Sequence, residues 1–200
     1  HFTNGLVSFN DLVIKGKVGT YAFTADTLND SDGTHDDWAI TQATDTFQLW
    51  AAPATHYVLT STQPTGNVIN DATFSMVAEA RDDSDNLDLT YTENGTITLT
   101  SGPGTLRGTG VLGSPASVTA AFVAGVKTFP GLYVRGIETS DQPYQLQIAG
   151  NRAPPNASTA MGTAYTDMFD IKQGAVSYLT VEDQPTVGEN RHVLDPFTVA

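Results

Sequence analysis

Residues 2–16, FTNGLVSFNDLVIKG, recur as residues 122–136, FVAGVKTFPGLYVRG, at a constant offset of 120. Phe2 aligns with Phe122, Gly5 with Gly125, Phe9 with Phe129, Leu12 with Leu132 and Gly16 with Gly136. Lys15 aligns with Arg135, so even the charge recurs. A match that keeps its bulky and turn positions without a gap constrains the fold more than any composition does. A repeated segment must find the same neighbours in each copy, or leave one copy incomplete.

Further matches extend the period. Tyr57–Thr65 aligns with Tyr178–Thr186 at an offset of 121, and Phe47-Gln48-Leu49 with Phe169-Asp170-Ile171 at 122. Phe74-Ser75-Met76-Val77 resembles Phe197-Thr198-Val199-Ala200 at 123. The repeat is therefore about 121 residues long. Three segments follow: 1–52, the late part of one copy; 53–174, a complete copy; and 175–200, the early part of a third. Joining tail to head leaves the counterpart of residues 79–120 missing. The expectation is a window on a longer tandem array, or a subunit whose ends neighbours complete.

Local patterning reads as strands. Tyr21–Ala25, Phe74–Ala78, Thr96–Thr100 and Tyr144–Ile148 alternate in polarity and are bounded by Gly, Pro, Asn and Asp. Alternation sends Phe74 and Met76, Ile97 and Leu99, and Tyr144, Leu146 and Ile148 inward. Phe9 and Leu12, like Phe129 and Leu132, are expected in a core. Asn4-Gly5 and Ala124-Gly125 read as tight hairpin turns, and Ser101–Gly104 as another turn. Ala116–Ala124 is the one stretch where a short helical turn competes. Strands every 8–12 residues indicate an all-β sandwich. Ala51–Thr55, with Pro53 inside it, is the joint between units and is short enough to restrict their motion.

Composition narrows the partners. A net charge of −13 argues against nucleic acid or an anionic membrane as the binding surface. No apolar run approaches the roughly 18 residues of a spanning helix, so membrane insertion is not expected. With no cysteine, disulfides and zinc–thiolate sites are excluded. A chain only 16% charged, rich in Thr, Gly, Ser and Asn, suits an extracellular or cell-surface location.

Leu59-Thr60-Ser61-Thr62-Gln63-Pro64, Phe74, Ala80–Leu87, Gly104-Thr105-Leu106-Arg107-Gly108, Gly125–Leu132 and Tyr144-Gln145-Leu146 occur in an order and spacing that resembles the bacterial Ig-like (Big/filamin-type) tandem repeats of large cell-surface proteins. The resemblance covers residues 56–150 fully and both ends in part. It implies tandem Ig-like β-sandwich domains, one complete and two partial, and it implies no chemistry. The chain departs from it by inserting Asp26–Thr46 in one copy and Gly150–Asp167 in the other. The inserts do not match each other. Specificity in a variable loop and drift in a tolerant one both explain that.

Two acidic clusters are candidate Ca²⁺ sites, because Ca²⁺ takes six to eight oxygens. Asp30, Asp32, Asp36 and Asp37 crowd the first insert, although Leu28 and Ala39 fall where an EF-type loop needs ligands. Asp82, Asp83, Asp85 and Asp88 form the second cluster. The plain alternative is a solvated loop for the first and a polar turn for the second. An N-terminal histidine such as His1 is able to chelate copper through its amine and ring, but by register it matches Ala121 and reads as an arbitrary cut point. His35, His56 and His192 suggest no shared site. Neither a nucleophile elbow nor a Ser-His-Asp spacing is present. Asn29, Asn94 and Asn156 head N-glycosylation sequons, which arise often in such a composition.

The expected function is non-catalytic: a structural segment of a stalk, adhesin or matrix fibre, partnered by neighbouring repeats or identical subunits. The rivals are a filament subunit assembled by strand exchange, and a carbohydrate-binding or copper-dependent oxidase module. Surface glycans or proteins are the outside partners these readings allow.

Overall fold

Short runs of β-branched and aromatic residues between turn-formers give strands throughout, and no helix forms among the described residues. The computed structural model describes residues 9–25, 42–43, 45–61, 63–113, 116–138, 142–155 and 159–174. The chain order is β1 (Gly19–Tyr21), β2 (Thr24–Ala25), β3 (Gln42–Ala43), β4 (Phe47–Leu49), β5 (His56–Ser61), β6 (Gly66–Ile69), β7 (Phe74–Arg81), β8 (Asn94–Ser101), β9 (Thr105–Gly108), β10 (Ser117–Ala121), β11 (Val126–Arg135), β12 (Gln145–Gly150), β13 (Ala164–Tyr165) and β14 (Phe169–Lys172).

Two four-stranded sheets make the sandwich, ordered β5-β7-β11-β9 and β10-β8-β12-β13. Their ladders are antiparallel. Met76, Ala78, Ala80, Leu106, Phe129, Leu132 and Val134 fill the core from one sheet, and Ile97, Val118, Leu146 and Ile148 from the other. The predicted inward residues Phe74 and Leu99 are half-buried and pack against this core. The β5 ladder shifts between Leu59 and Ser61, just before Pro64. Proline has no N–H to continue a ladder, and the chain leaves the sheet there. It then pairs as β6 with β14, in parallel, Phe169 opposite Gly66.

Ala116–Ala124 is not a helical turn. Residues 117–121 form β10, because Val118 and Ala120 face inward while Thr119 faces out against Thr96 of β8. The expected hairpin turn at Ala124-Gly125 is present, closed by the Val123–Val126 bridge, with φ of 50° and 76°. Gly125 is needed there twice over: its φ is left-handed, and a Cβ would run into the Asp88 carbonyl.

The expectation for Phe9 and Leu12 fails. They are 70% and 63% exposed, whereas Phe129 and Leu132 are 1% and 0% exposed. The reason is physical. Phe129 and Leu132 lie on β11 between β7 and β9. Among the described residues, no strand of that kind flanks residues 9–15. Among the described residues, the first segment contributes the small ladders β1-β4 and β2-β3.

The local geometry of that first segment nevertheless repeats. Asp11 and its counterpart Gly131 have φ of 65° and 64°. The Tyr21 hydroxyl donates to the Lys17 carbonyl at 2.6 Å, and the Tyr144 hydroxyl to the Ile137 carbonyl at 2.8 Å. Lys17 and Ile137 are 120 residues apart. Tyr21 pairs with Phe47 and Tyr144 with Phe169. The two ring pairs stack at 6.2 and 5.9 Å, each at 27°.

Candidate functional site

β7 ends at Arg81, and the chain must reverse before Leu87 returns to bridge Arg81. Asp and Asn suit such a reversal because their side chains bond their own backbone. The Asp82 N–H donates to the Asn86 carbonyl, and the Asp85 N–H to the Asp82 carbonyl, both at 2.9 Å. Asp85 carries the left-handed residue, φ 61°. Asp82 Oδ1 accepts the N–H groups of Ser84 and Asn86, each at 2.9 Å.

The same turn reaches the preceding segment. Asp82 Oδ2 accepts the Ala52 N–H, and Asp88 Oδ2 the Ala54 N–H, both at 2.9 Å. Asn86 uses both ends of its amide: Nδ2 donates to the Gly16 carbonyl at 2.9 Å, and Oδ1 accepts the Val18 N–H at 3.0 Å. The Lys17 ammonium donates to the Asp85 carbonyl at 3.0 Å. Thr55 Oγ1 donates to Asp83 Oδ1 at 2.7 Å. Asp82, Asn86 and Asp88 are all buried. The turn is therefore a clasp holding residues 16–18 and 52–54 against the sandwich.

Charge supports the clasp. Burial works to raise the Asp82 carboxyl, but the bonds from Asn86, Ala52 and Ser84 together outweigh it and hold it below the ordinary carboxylate range. Arg81, 3.1 Å away, and then Lys17 hold Asp85 low as well. His56 lies 3.9 Å from Asp85. Elsewhere, burial pushes the Tyr91 hydroxyl up, and its bond to Tyr57 adds to this. The pair lies under Phe122, with Tyr91 donating to the Asn151 carbonyl at 2.7 Å.

Of the proposed Ca²⁺ ligands, Asp82, Asp83, Asp85 and Asp88 share one turn, but their oxygens meet hydrogen-bond donors and cationic side chains. Asp88 Oδ1, for instance, accepts both the N–H and the hydroxyl of Thr90. Among the described residues, no three His, Cys, Asp or Glu side chains group as metal ligands would. Asp30, Asp32, Asp36 and Asp37 lie outside the described residues, as do His1, His35, His192, Asn29, Asn156 and the segment 175–200. Sequence reasoning missed Asn86, whose two-ended bond is central. Its one available signal was its place in a short run of Asp and Asn, residues that suit a tight reversal.

Beside the clasp, Val18, Leu49, Trp50, Leu87 and Leu89 line an open groove of about 470 Å³. By the repeat register Val18 corresponds to Glu138 and Trp50 to Lys172. Glu138 and Lys172 form an ion pair at 2.9 Å. An apolar lining in one copy thus stands where the other has a charge pair.

No protein-family model matches the chain, and no curated protein does. Among solved structures, it is similar to dimeric latent PorU from Porphyromonas gingivalis, at 10% identity and a TM-score of 0.43. The match covers 66% of this chain and 14% of that one.

Proposed function

We propose that the chain is a non-catalytic structural segment of a large extracellular protein built from Ig-like repeats, acting as a stalk, adhesin or matrix fibre. The clasp carries this reading. Five bonds, to backbone groups of Gly16, Val18, Ala52 and Ala54 and from Lys17, tie the end of the first segment and the joint itself to the turn of the sandwich. Bonds at two separate places, residues 16–18 and the joint, resist bending in more than one direction, which a load-bearing rod requires. The recurring Tyr–Phe stack and left-handed residue support a tandem reading, and the acidic, cysteine-free composition supports an extracellular one.

Small-angle scattering on the full chain tests it. The wild type should behave as one rigid particle, and the Asp82→Ala/Asn86→Ala double variant should broaden the distance distribution at an unchanged sandwich core. An equally broad wild-type distribution would sink the rod.

One observation favours a second reading, strand exchange between chains. Phe9 and Leu12 expose apolar surface where the complete copy buries it. The mass of the native polypeptide separates the two readings. A value near 21.2 kDa favours a discrete subunit, and a far larger one an array.

A further inference from the structure

The two sheets of the sandwich present opposite chemistry to solvent. The β5-β7-β11-β9 strands carry His56, Glu79, Arg81, Arg107, Lys127 and Arg135. The strands β10, β8, β12 and β13 contain no Asp, Glu, Lys, Arg or His. In a chain of net charge −13, that face stands apart.

Its outward residues form rows across the strands. Ser117, Thr98, Gln147 and Tyr165 lie side by side in one row, and Thr119, Thr96 and Ala149 in the next. Three strand spacings make the first row roughly 14 Å long, and the second lies about 7 Å away. The groups are held in place: Gln147 Nε2 donates to Thr98 Oγ1 at 3.1 Å, Thr96 and Thr119 share a hydroxyl bond at 2.8 Å, and Thr100 Oγ1 donates to the Gln145 carbonyl at 3.1 Å. Tyr165, 53% exposed, closes the row with an aromatic ring.

We infer that this face binds a neutral polysaccharide. The slightly positive C–H face of a sugar ring lies well on the negative face of an aromatic ring. Hydroxyl and carboxamide side chains donate and accept at once, as sugar hydroxyls do. A row of such groups beside one tyrosine offers both kinds of contact along an extended chain. The lack of charge matters equally. A fixed carboxylate or ammonium on the face would have to give up hydration against an uncharged ligand with nothing to offset it. The face thus selects against charged polymers. This inference does not depend on the array reading, since it uses the sandwich alone.

Affinity electrophoresis of the full chain through gels containing dextran, soluble amylose or hydroxyethyl cellulose tests it, with alginate as the anionic control. At least one neutral polymer should retard the wild type, equally in low and high salt, while alginate should not. Tyr165→Ala and Thr98→Arg should each lower the retardation at least tenfold in apparent affinity, at unchanged thermal unfolding. Arg107→Ala, on the charged sheet, should leave it intact. No retardation by any neutral polymer would overturn the inference, as would retardation that both face variants preserve. Self-association in sedimentation that Thr98→Arg abolishes would also overturn it, making the face a contact between copies.

Discussion

Residues 9–14 and 129–134 share one pattern, yet Phe9 is 70% exposed and Phe129 1%. The backbone does not account for this, because Asp11 and Gly131 adopt the same left-handed conformation. The neighbours do. β11 is flanked by β7 and β9, with Phe129 opposite Met76 and Leu132 opposite both Phe74 and Gly108. Local sequence sets the left-handed residue, the tyrosine turn and the aromatic stack in both copies. Long-range pairing alone decides whether the same side chains become core.

The sharpest way to break that comparison is truncation at matched positions. Phe129→Ala should destabilise the sandwich by about 3–5 kcal/mol. Phe9→Ala should fall within about 0.5 kcal/mol of wild type, as for an exposed site. Urea unfolding of both variants checks this. A large cost for Phe9→Ala would mean that something covers the N-terminal face in solution, which is the outcome strand exchange requires.

The clasp comes next in size. Asp82→Ala leaves the Ala52, Ser84 and Asn86 N–H groups without their acceptor. Each buried donor stranded in this way costs about 1–3 kcal/mol, less whatever water recovers. Thermal unfolding should fall, and proteolysis should appear at Ala51–Thr55. Asn86→Ala should release residues 16–18 with a smaller loss of midpoint, because the Asp82 and Asp88 bonds to the joint remain. An opened joint is the readout that a purely local turn defect would not produce.

Much of the sandwich was legible beforehand because alternation is a local signal. Ile97, Leu146, Ile148, Phe129 and Leu132 all fell inward as their period demands. The clasp was not legible. Asp82 to Asp88 reads equally well as cation ligands or as acceptors for N–H groups. The choice lies with Ala52, Ala54 and Val18, which are 30, 34 and 68 residues from their partners. No window around the cluster contains that information. Phe9 and Leu12 misled for the converse reason: their pattern promised a core that needs flanking strands, and none flanks them among the described residues.

Acid should loosen the clasp before it unfolds the core. Asp82 is held below the ordinary carboxylate range in the folded chain. A depressed pKa contributes stability that is fully present above the unfolded value, about 3.9. That stability is lost as pH falls through the folded value. The scattering distribution should therefore stay narrow at neutral pH and broaden below about pH 4. Asp82→Asn should remove the pH dependence.

The tyrosine pair gives a smaller contrast. Tyr144 is fully buried, and its hydroxyl both donates to the Ile137 carbonyl and accepts the Ile137 N–H at 3.0 Å. Tyr144→Phe should cost about 1 kcal/mol. Tyr21 makes its single bond in a more exposed setting, where water replaces a lost partner. Tyr21→Phe should be close to neutral by the same thermal measurement. Equal costs would show that the first copy is as tightly packed around its tyrosine as the second.

The smallest expected effect concerns metal. Asp82, Asp83, Asp85 and Asp88 direct oxygens at Ala52, Thr55, Arg81 and Ala54. A Ca²⁺ ion would have to displace those donors and bring its own replacement for each. Chelation by EDTA should therefore leave the unfolding midpoint of the sandwich unchanged. Should millimolar Ca²⁺ raise the midpoint, the Asp82→Asn variant assigns the source. A rise that survives the substitution belongs to Asp30, Asp32, Asp36 and Asp37. A rise that vanishes with it would mean the clasp exchanges hydrogen bonds for a cation, and the two acidic clusters would no longer differ in kind.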